Sequence, residues 1–167
     1  MAKITDLILS PGLTGFYFDD QRAIKRGVSH DGFFYEGEPV TPGFSAVRMA
    51  GESISVMLVL DDGQIATGDC AAIQYSGAGG RYPAFMAHDF MPVIMERIAP
   101  LVKGADPGAT GFRELAARID SLEDEPGHKI HSAIRYGATQ AVLDCVAKSK
   151  HVLPCEVIAD EYDLELA

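Results

Sequence analysis

ESISVMLVLDDGQIATGDCAAI, residues 52–73, is the stretch that decides the fold. Ile54, Val56, Leu58 and Leu60 recur at every second position, so in an extended chain they share one face, and the pattern predicts a strand buried on that side. Asp62-Gly63 separates this run from a second apolar one. Both residues take positive φ at little cost, so the pair predicts a type I′ turn and an antiparallel hairpin.

Toward the amino terminus, residues 3–10 read as a first strand ended by Pro11-Gly12, and FSAVRM, residues 44–49, reads as another. Between them lies LTGFYFDDQRAIKRGVSHDGFFYEGEP, which holds no sustained period; the region 14–40 is expected to be a long ordered loop. A loop longer than about 12–15 residues in a compact domain is functional or disordered, and the aromatics here argue for order.

Toward the carboxy terminus the period becomes helical. Met86, Phe90, Val93, Ile94, Ile98 and Leu101 form one stripe, interrupted by Pro92 and stopped by Gly104 and Pro107. A second helix is expected from about Gly111, with Phe112, Leu115, Ala116, Ile119 and Leu122 on its face, before the polar connector EDEPG. A third runs from about Lys129 to Lys148 with Ile130, Ala133, Ile134, Ala138, Ala141, Val142 and Cys145 inward, and Pro154 opens a short last helix as its first-turn proline. Strands first and helices afterwards predict an α+β class: an antiparallel β-meander followed by a three-to-four-helix bundle on one face of the sheet, a single domain over 1–167.

The 167 residues are 47% hydrophobic and 23% charged, which suits a soluble domain with a core. Acidic residues outnumber basic ones by 24 to 14, and the net charge of −10 repels nucleic acid and anionic lipid, so neither is an expected partner. Cys70, Cys145 and Cys155 are an odd number at wide spacing, against both a disulfide framework and a zinc site, and a reducing cytoplasm is the expected location. MAKITDLILSPGL has neither the apolar core nor the cleavage site of a signal peptide, and no stretch reaches membrane length.

No self-sufficient catalytic set is visible. G-x-S-x-G, H-E-x-x-H and EF-hand patterns are absent, and SGAGGR, residues 76–81, lacks the lysine and hydroxyl of a phosphate loop. His128 and His131 are close enough in sequence to share a metal, but no third ligand stands near them, and His30-Asp31 reads as a turn held by the aspartate rather than as a proton-transfer pair. Cys70, on a strand, reads as a small buried residue, because a strand offers none of the cationic surroundings that a reactive thiolate requires. Gln74, at the end of the apolar run, can donate to a carboxylate and accept from an ammonium, or can equally satisfy nearby loop backbone. The glycines after it either admit a ligand to the main chain or simply make a turn.

PGLTGFYFDDQRAIKRG, HDGFFYEG, GESISVMLVLDDGQ, GDCAAIQYSGAGGR and HSAIRYGATQAVLD, spread from about residue 3 to 162, closely resemble the amino-terminal part of the methylaspartate ammonia-lyases, members of the enolase superfamily. The resemblance implies an amino-terminal α+β capping domain that covers a (β/α) barrel, with the magnesium ligands, the lysine base and the opposing histidine on the barrel and therefore no catalytic or metal-binding residue in this chain. The implied reaction is the reversible elimination of ammonia from L-threo-3-methylaspartate to mesaconate, a step in glutamate fermentation and amino-acid degradation. A base removes the proton on carbon 3 while magnesium stabilises the resulting enolate. The implied partners are the barrel domain, the substrate and a second copy of the full-length enzyme in a homodimer.

The family contacts substrate through a glutamine that matches Gln74, and Arg81 is added here as a carboxylate partner or a clamp to the barrel, against the plainer reading of a surface salt bridge. The family commonly carries an aspartate where this chain has Tyr82; if that acid caps the following helix, its loss costs about 0.5–2 kcal/mol. Two other readings remain open at this level: a free-standing module for small dicarboxylates or other anions, or the cap of another superfamily lyase. A third is a domain that serves only in oligomer contacts.

Overall fold

The computed structural model describes residues 2–19, 29–31, 34–72 and 84–166. Three strands, β1 (Ile4–Phe18), β4 (Arg48–Leu60) and β5 (Ile65–Ala71), form one antiparallel sheet in the order β1-β4-β5. Two short strands, β2 (Ser29–Asp31) and β3 (Phe34–Glu36), pair as a separate ladder inserted between β1 and β4. The meander is therefore present, with a small hairpin within its first connection.

The alternation in β4 sets the sheet's inner face. Ile54, Val56, Leu58 and Leu60 are all buried, as are Ala66 and Cys70 of the neighbouring β5. Burying each of the four large side chains removes enough apolar surface to contribute roughly 2 kcal/mol. The outer face carries Ser53, Ser55, Thr67 and Asp69, and the Ser55 hydroxyl donates to the Asp69 carboxylate across the strands at 2.5 Å.

Several expectations about the strands need correction. β1 does not end at Pro11-Gly12: it pairs with β4 from Ile4 opposite Leu60 to Phe18 opposite Arg48. Pro11 is tolerated because β1 is an edge strand, where a missing N–H need not break a ladder. The expected loop 14–40 accordingly begins as strand and contains the β2–β3 ladder, while 44–47 of the expected FSAVRM strand precede β4. The hairpin is not type I′. Only Gly63 has positive φ (89°), the Gly63 N–H bonds the Leu60 carbonyl at 3.0 Å, and the Leu60 N–H bonds the Gln64 carbonyl at 2.9 Å, which makes a three-residue loop with the glycine in the left-handed position.

Helices follow. α1 (Ala87–Val93) runs into a π-turn over Ile94–Ile98 and then α2 (Ala99–Val102). In the π-turn the Ala99 N–H reaches the Ile94 carbonyl, and the next residue, Pro100, has no N–H to continue a regular ladder. The sequence reading placed the irregularity at Pro92; that proline does sit within α1, and the widened turn comes immediately after it. A single turn, α3 (Pro107–Thr110), precedes α4 (Phe112–Asp120) and is capped by the Asp106 carboxylate, which accepts from the Ala109 N–H at 3.1 Å. The connector expected around EDEPG is a hairpin, β6 (Glu123–Glu125) with β7 (His128–Lys129), turned at Gly127 with φ 81°. The expected third helix is α5 (Ser132–Lys150), three residues later than predicted because Lys129 belongs to β7, and α6 (Pro154–Glu161) opens with its proline as foreseen.

α5 lies against β5 and β4, and its predicted face is the one that is buried: Ala133, Ile134, Ala138, Ala141, Val142 and Cys145. The approach is close because Gly68 of β5 meets Gly137 of α5 with no side chain between them. Lys148 and Asp144 tie the same two elements at the rim: the Asp144 carboxylate accepts from the Thr67 N–H at 2.8 Å, and the Lys148 ammonium bridges Asp144 (2.7 Å) and the Ile65 carbonyl (2.8 Å). The α+β class stands, with the core between the sheet and the helices.

Candidate functional site

Gln74 and Arg81, the two residues singled out as substrate contacts, lie in segment 73–83, outside the described residues, as does Tyr82. The described residues show how both ends of that segment are attached.

At its start, β5 delivers the chain through Cys70, which pairs with Ile54 across the sheet and is buried under α5. Burial pushes the Cys70 thiol up to about 12, with the neighbouring Asp69 carboxylate adding to the shift. It is therefore a packed neutral thiol, as its strand position indicated, and Cys145 is likewise raised to about 12 by burial.

At the far end, Phe85 is fully buried and lies parallel to Phe90, ring centroids 5.0 Å apart. The Tyr17 hydroxyl donates to the Phe85 carbonyl at 2.8 Å, accepts from the Glu52 N–H at 3.2 Å and lies 2.9 Å from the Glu52 carbonyl. Tyr17 has no solvent exposure, and burial raises its phenol above the ordinary value. Its ring fits beside β4 because Gly51 is there: a Cβ on Gly51 would stand 2.8 Å from the Tyr17 ring. A register shift between Leu13 and Phe16 turns the strand just before Tyr17, as a bulge does when it re-aims a side chain.

Glu52 completes this anchor. Its carboxylate accepts from the Ala87 N–H at 2.6 Å, placing a negative charge at the first turn of α1. The helix's own N-cap, Met86, supplies no side-chain bond. The start of α1 thus takes a carboxylate from β4, 35 positions away in sequence.

Two positions beyond Tyr17 stands a buried carboxylate. Asp19, just beyond β1, accepts from the Val40 N–H (2.5 Å), the Thr41 N–H (2.9 Å) and the Thr41 hydroxyl, while its own N–H reaches the Val47 carbonyl. Arg48 lies 3.8 Å from the centre of the Phe16 ring, a cation–π contact on the same lobe.

The histidines separate. His128 is exposed in β7, whereas His131 is 3% exposed and opens α5, its Nδ1 accepting from the Ala133 N–H at 3.1 Å. His131 packs against Phe85 and Phe90, so it belongs to the hydrophobic core around the anchor. His30 and Asp31 are successive positions in β2, and Asp31 pairs with Phe34 as the closing pair of the β2–β3 ladder. Among the described residues no three His, Cys, Asp or Glu side chains come together as a metal site. A cleft of about 550 Å³ between the helices is lined by residues including Thr110, Arg113, Lys150 and Glu161, none of which the sequence had suggested. Glu161 there caps α4, accepting from the Phe112 and Arg113 N–H groups at 2.8 and 2.6 Å.

Tyr17, Glu52 and Asp19 were missed in the sequence because each acts on backbone 21 to 68 positions away. No local period marks such contacts. The nearest signal, for Tyr17 and Asp19, is the aromatic content of the region 14–40, which suggests order without naming partners.

Comparison with known proteins gives the context. Over 161 residues the chain is 59% identical to the methylaspartate ammonia-lyase of Clostridium tetanomorphum, an alignment covering 96% of this chain and 38% of that protein. The crystal structure of beta-methylaspartase from the same organism, a Mg-complex, superposes with a TM-score of 0.89 at 57% identity, over 99% of this chain and 39% of that one. The Citrobacter amalonaticus methylaspartate ammonia lyase structure containing (2S,3S)-3-methylaspartic acid gives 0.87 at 49% identity, over 98% and 39%. A muconate lactonizing enzyme from Pseudomonas fluorescens, 14% identical with a TM-score of 0.51 over 88% of this chain and 31% of that one, shares the fold alone. The chain therefore spans about two fifths of the length of the relatives it matches. Among the described residues no helix is long and apolar enough to cross a membrane. The family model described as the methylaspartate ammonia-lyase N-terminus matches residues 2–163, and the chain belongs to that family.

Proposed function

We propose that residues 1–167 form a single capping domain of a methylaspartate ammonia-lyase, which works on a barrel formed by the rest of the enzyme in the reversible elimination of ammonia from L-threo-3-methylaspartate. The observation that carries this reading is the match over 99% of this chain, at 57% identity, to only 39% of a beta-methylaspartase. The described residues do not fit a magnesium site, since they bring no three donors together; the ion named in the Clostridium structure belongs, in this reading, to the barrel.

What this chain supplies is binding and orientation. Gln74 donates its amide N–H to a substrate carboxylate and accepts from the ammonium, and Arg81 serves as a carboxylate partner or as a clamp to the barrel. Holding the substrate and excluding water lower the barrier through orientation, without a catalytic group in the cap itself. The full-length enzyme is a cytoplasmic homodimer in amino-acid degradation by glutamate fermentation.

The test is absorbance at the mesaconate band with 3-methylaspartate and magnesium, on this chain alone and on the chain combined with a matching barrel half. Activity only in the combination is expected. Activity from the chain alone would show that it holds its own catalytic set, and folded protein inactive in both settings would favour a free-standing anion-binding module.

A further inference from the structure

The cleft of about 550 Å³ where α3, α4, α5 and α6 meet holds two cations whose hydrogen-bond donors are open. The Arg113 guanidinium lies 5.4 Å from the centre of the Tyr162 ring and, among the described residues, makes no ion pair or hydrogen bond. A ring face holds a cation through its quadrupole and leaves the N–H edges of a guanidinium unused. The Lys150 ammonium stands 3.8 Å from the nearest oxygens of Asp160 and Glu161, beyond hydrogen-bonding distance.

The acids of the cleft are engaged elsewhere. Glu161 gives one oxygen to the Phe112 N–H at 2.8 Å and the other to the Arg113 backbone N–H at 2.6 Å, which fixes its carboxylate at the start of α4. Glu114 is paired with Arg118 one turn along α4. Two lining cations and one remaining acid leave one net positive charge, on a chain whose total is −10. Thr110 adds a hydroxyl that makes no hydrogen bond among the described residues. Ala117 and its small neighbours keep the walls low, and the volume falls in the range of sites for small organic molecules, about 300–1,000 Å³, well above what a bare ion needs.

We propose that this cleft binds a small hydroxy- or oxo-carboxylate: the Arg113 guanidinium pairs with the carboxylate through two N–H groups, and the Lys150 ammonium and Thr110 hydroxyl donate to the ligand's further oxygen. A single negative charge on the ligand balances the cleft. The planar fork of an arginine matches a carboxylate, and a guanidinium already held over a ring has less freedom to lose on binding. The site owes nothing to the reading of Gln74, since every residue in it belongs to the helical half of the domain.

The experiment is saturation-transfer NMR on the full-length, magnesium-free enzyme, with lactate as the probe and its methyl signal as the readout. Lactate is expected to bind with a dissociation constant on the order of 1 mM, as suits a ligand of so few atoms. Arg113→Gln, which removes the fork, and Ala117→Leu, which fills the cleft without touching its charge, should each weaken binding at least about fivefold. Lys150→Gln should weaken it about threefold, as should replacing lactate by propionate, which lacks the hydroxyl. Melting temperatures recorded alongside show that the variants are folded. Should Arg113→Gln not fold, Ala117→Leu carries the same test. No transfer to lactate in the parent enzyme would overturn the proposal, as when the rest of the enzyme covers the cleft. Binding unchanged in both Arg113→Gln and Ala117→Leu would overturn it too, by placing lactate elsewhere. Displacement of lactate by an equal concentration of inorganic phosphate would do the same, because the cleft would then recognise charge and not a carboxylate.

Discussion

Gly68 of β5 and Gly137 of α5 meet without space for a side chain on either: a Cβ on Gly68 would press on the Gly137 carbonyl and stand 2.5 Å from the Ala141 nitrogen, and one on Gly137 would stand 2.5 Å from the Cys70 sulfur. The obstacles are mainly backbone, so neither element yields by a rotamer change. This contact sets the distance between sheet and helix, and with it the position from which the chain leaves β5 toward Gln74.

Gly68→Ala and Gly137→Ala are each expected to destabilise the domain by about 3 kcal/mol, the upper end for overpacking, because helix and strand must separate along their length. Urea titration followed by circular dichroism measures the loss. Midpoints within error of the parent would show that the two elements part easily.

The thiols give a chemical check on burial. Cys70 and Cys145 are buried and Cys155 is exposed, so an aromatic disulfide reagent at pH 8 should modify Cys155 quickly and the other two only after denaturation. The sign of the pH dependence follows from the raised values. Both buried thiols ionise near 12 in the fold against an ordinary value of 9.0, so the unfolded chain gives up these protons first. Their contribution to stability is complete below pH 9 and is lost as the pH rises toward 12; Tyr17, also raised by burial, acts in the same direction. Thermal melts from pH 8 to 11 should show a falling midpoint, and a rising one would contradict the burial of all three groups.

Glu161 joins α6 to α4. Its carboxylate is 12% exposed and accepts two backbone N–H groups at the start of α4. Glu161→Ala is expected to cost about 1–2 kcal/mol, with Glu161→Gln closer to the parent because one oxygen acceptor remains. Chemical denaturation of the two variants side by side decides it; an equal loss in both would mean that charge, not hydrogen bonding, is what matters at that helix end.

In the full-length enzyme, Gln74→Ala should lower kcat/KM for 3-methylaspartate by about 1–3 kcal/mol of transition-state binding, as for one hydrogen bond to a charged group. Arg81→Ala should raise KM if the guanidinium binds a carboxylate and lower the melting temperature if it clamps the barrel. Unchanged kinetics and stability would remove the arginine from the site.

What the sequence made legible was periodic. The β4 face from Ile54 to Leu60 and the α5 face from Ile134 to Cys145 were both readable, because a repeated apolar spacing reports which side of an element is buried. Punctuation was read too literally. Pro11-Gly12 ended a strand that in fact continues, since an edge strand tolerates what a central one does not. Asp62-Gly63 marked a real turn but not its type, because Asp62 keeps negative φ and Gly63 alone takes the left-handed region. The anchors around Phe85 were not legible at all: Tyr17 to Phe85 spans 68 positions, and such a contact exists only once the sheet and α1 have come together. Gln74 entered by resemblance, as the amide at the end of an apolar run, and its local spacing left the alternative of a plain loop residue open.

Pro11 has one more effect. β1 is a 15-residue strand at the edge of the sheet, where among the described residues only its start is covered, Ile4 exchanging backbone hydrogen bonds with Gly104 and Ala105, and long regular edges serve as templates on which other chains build amyloid-like ladders. A residue with no N–H in the middle of that edge removes a rung from any such ladder. The consequence is colloidal: the proline that interrupts the strand pattern on paper protects a strand of this length against polymerisation while the chain is being made and before a partner covers it.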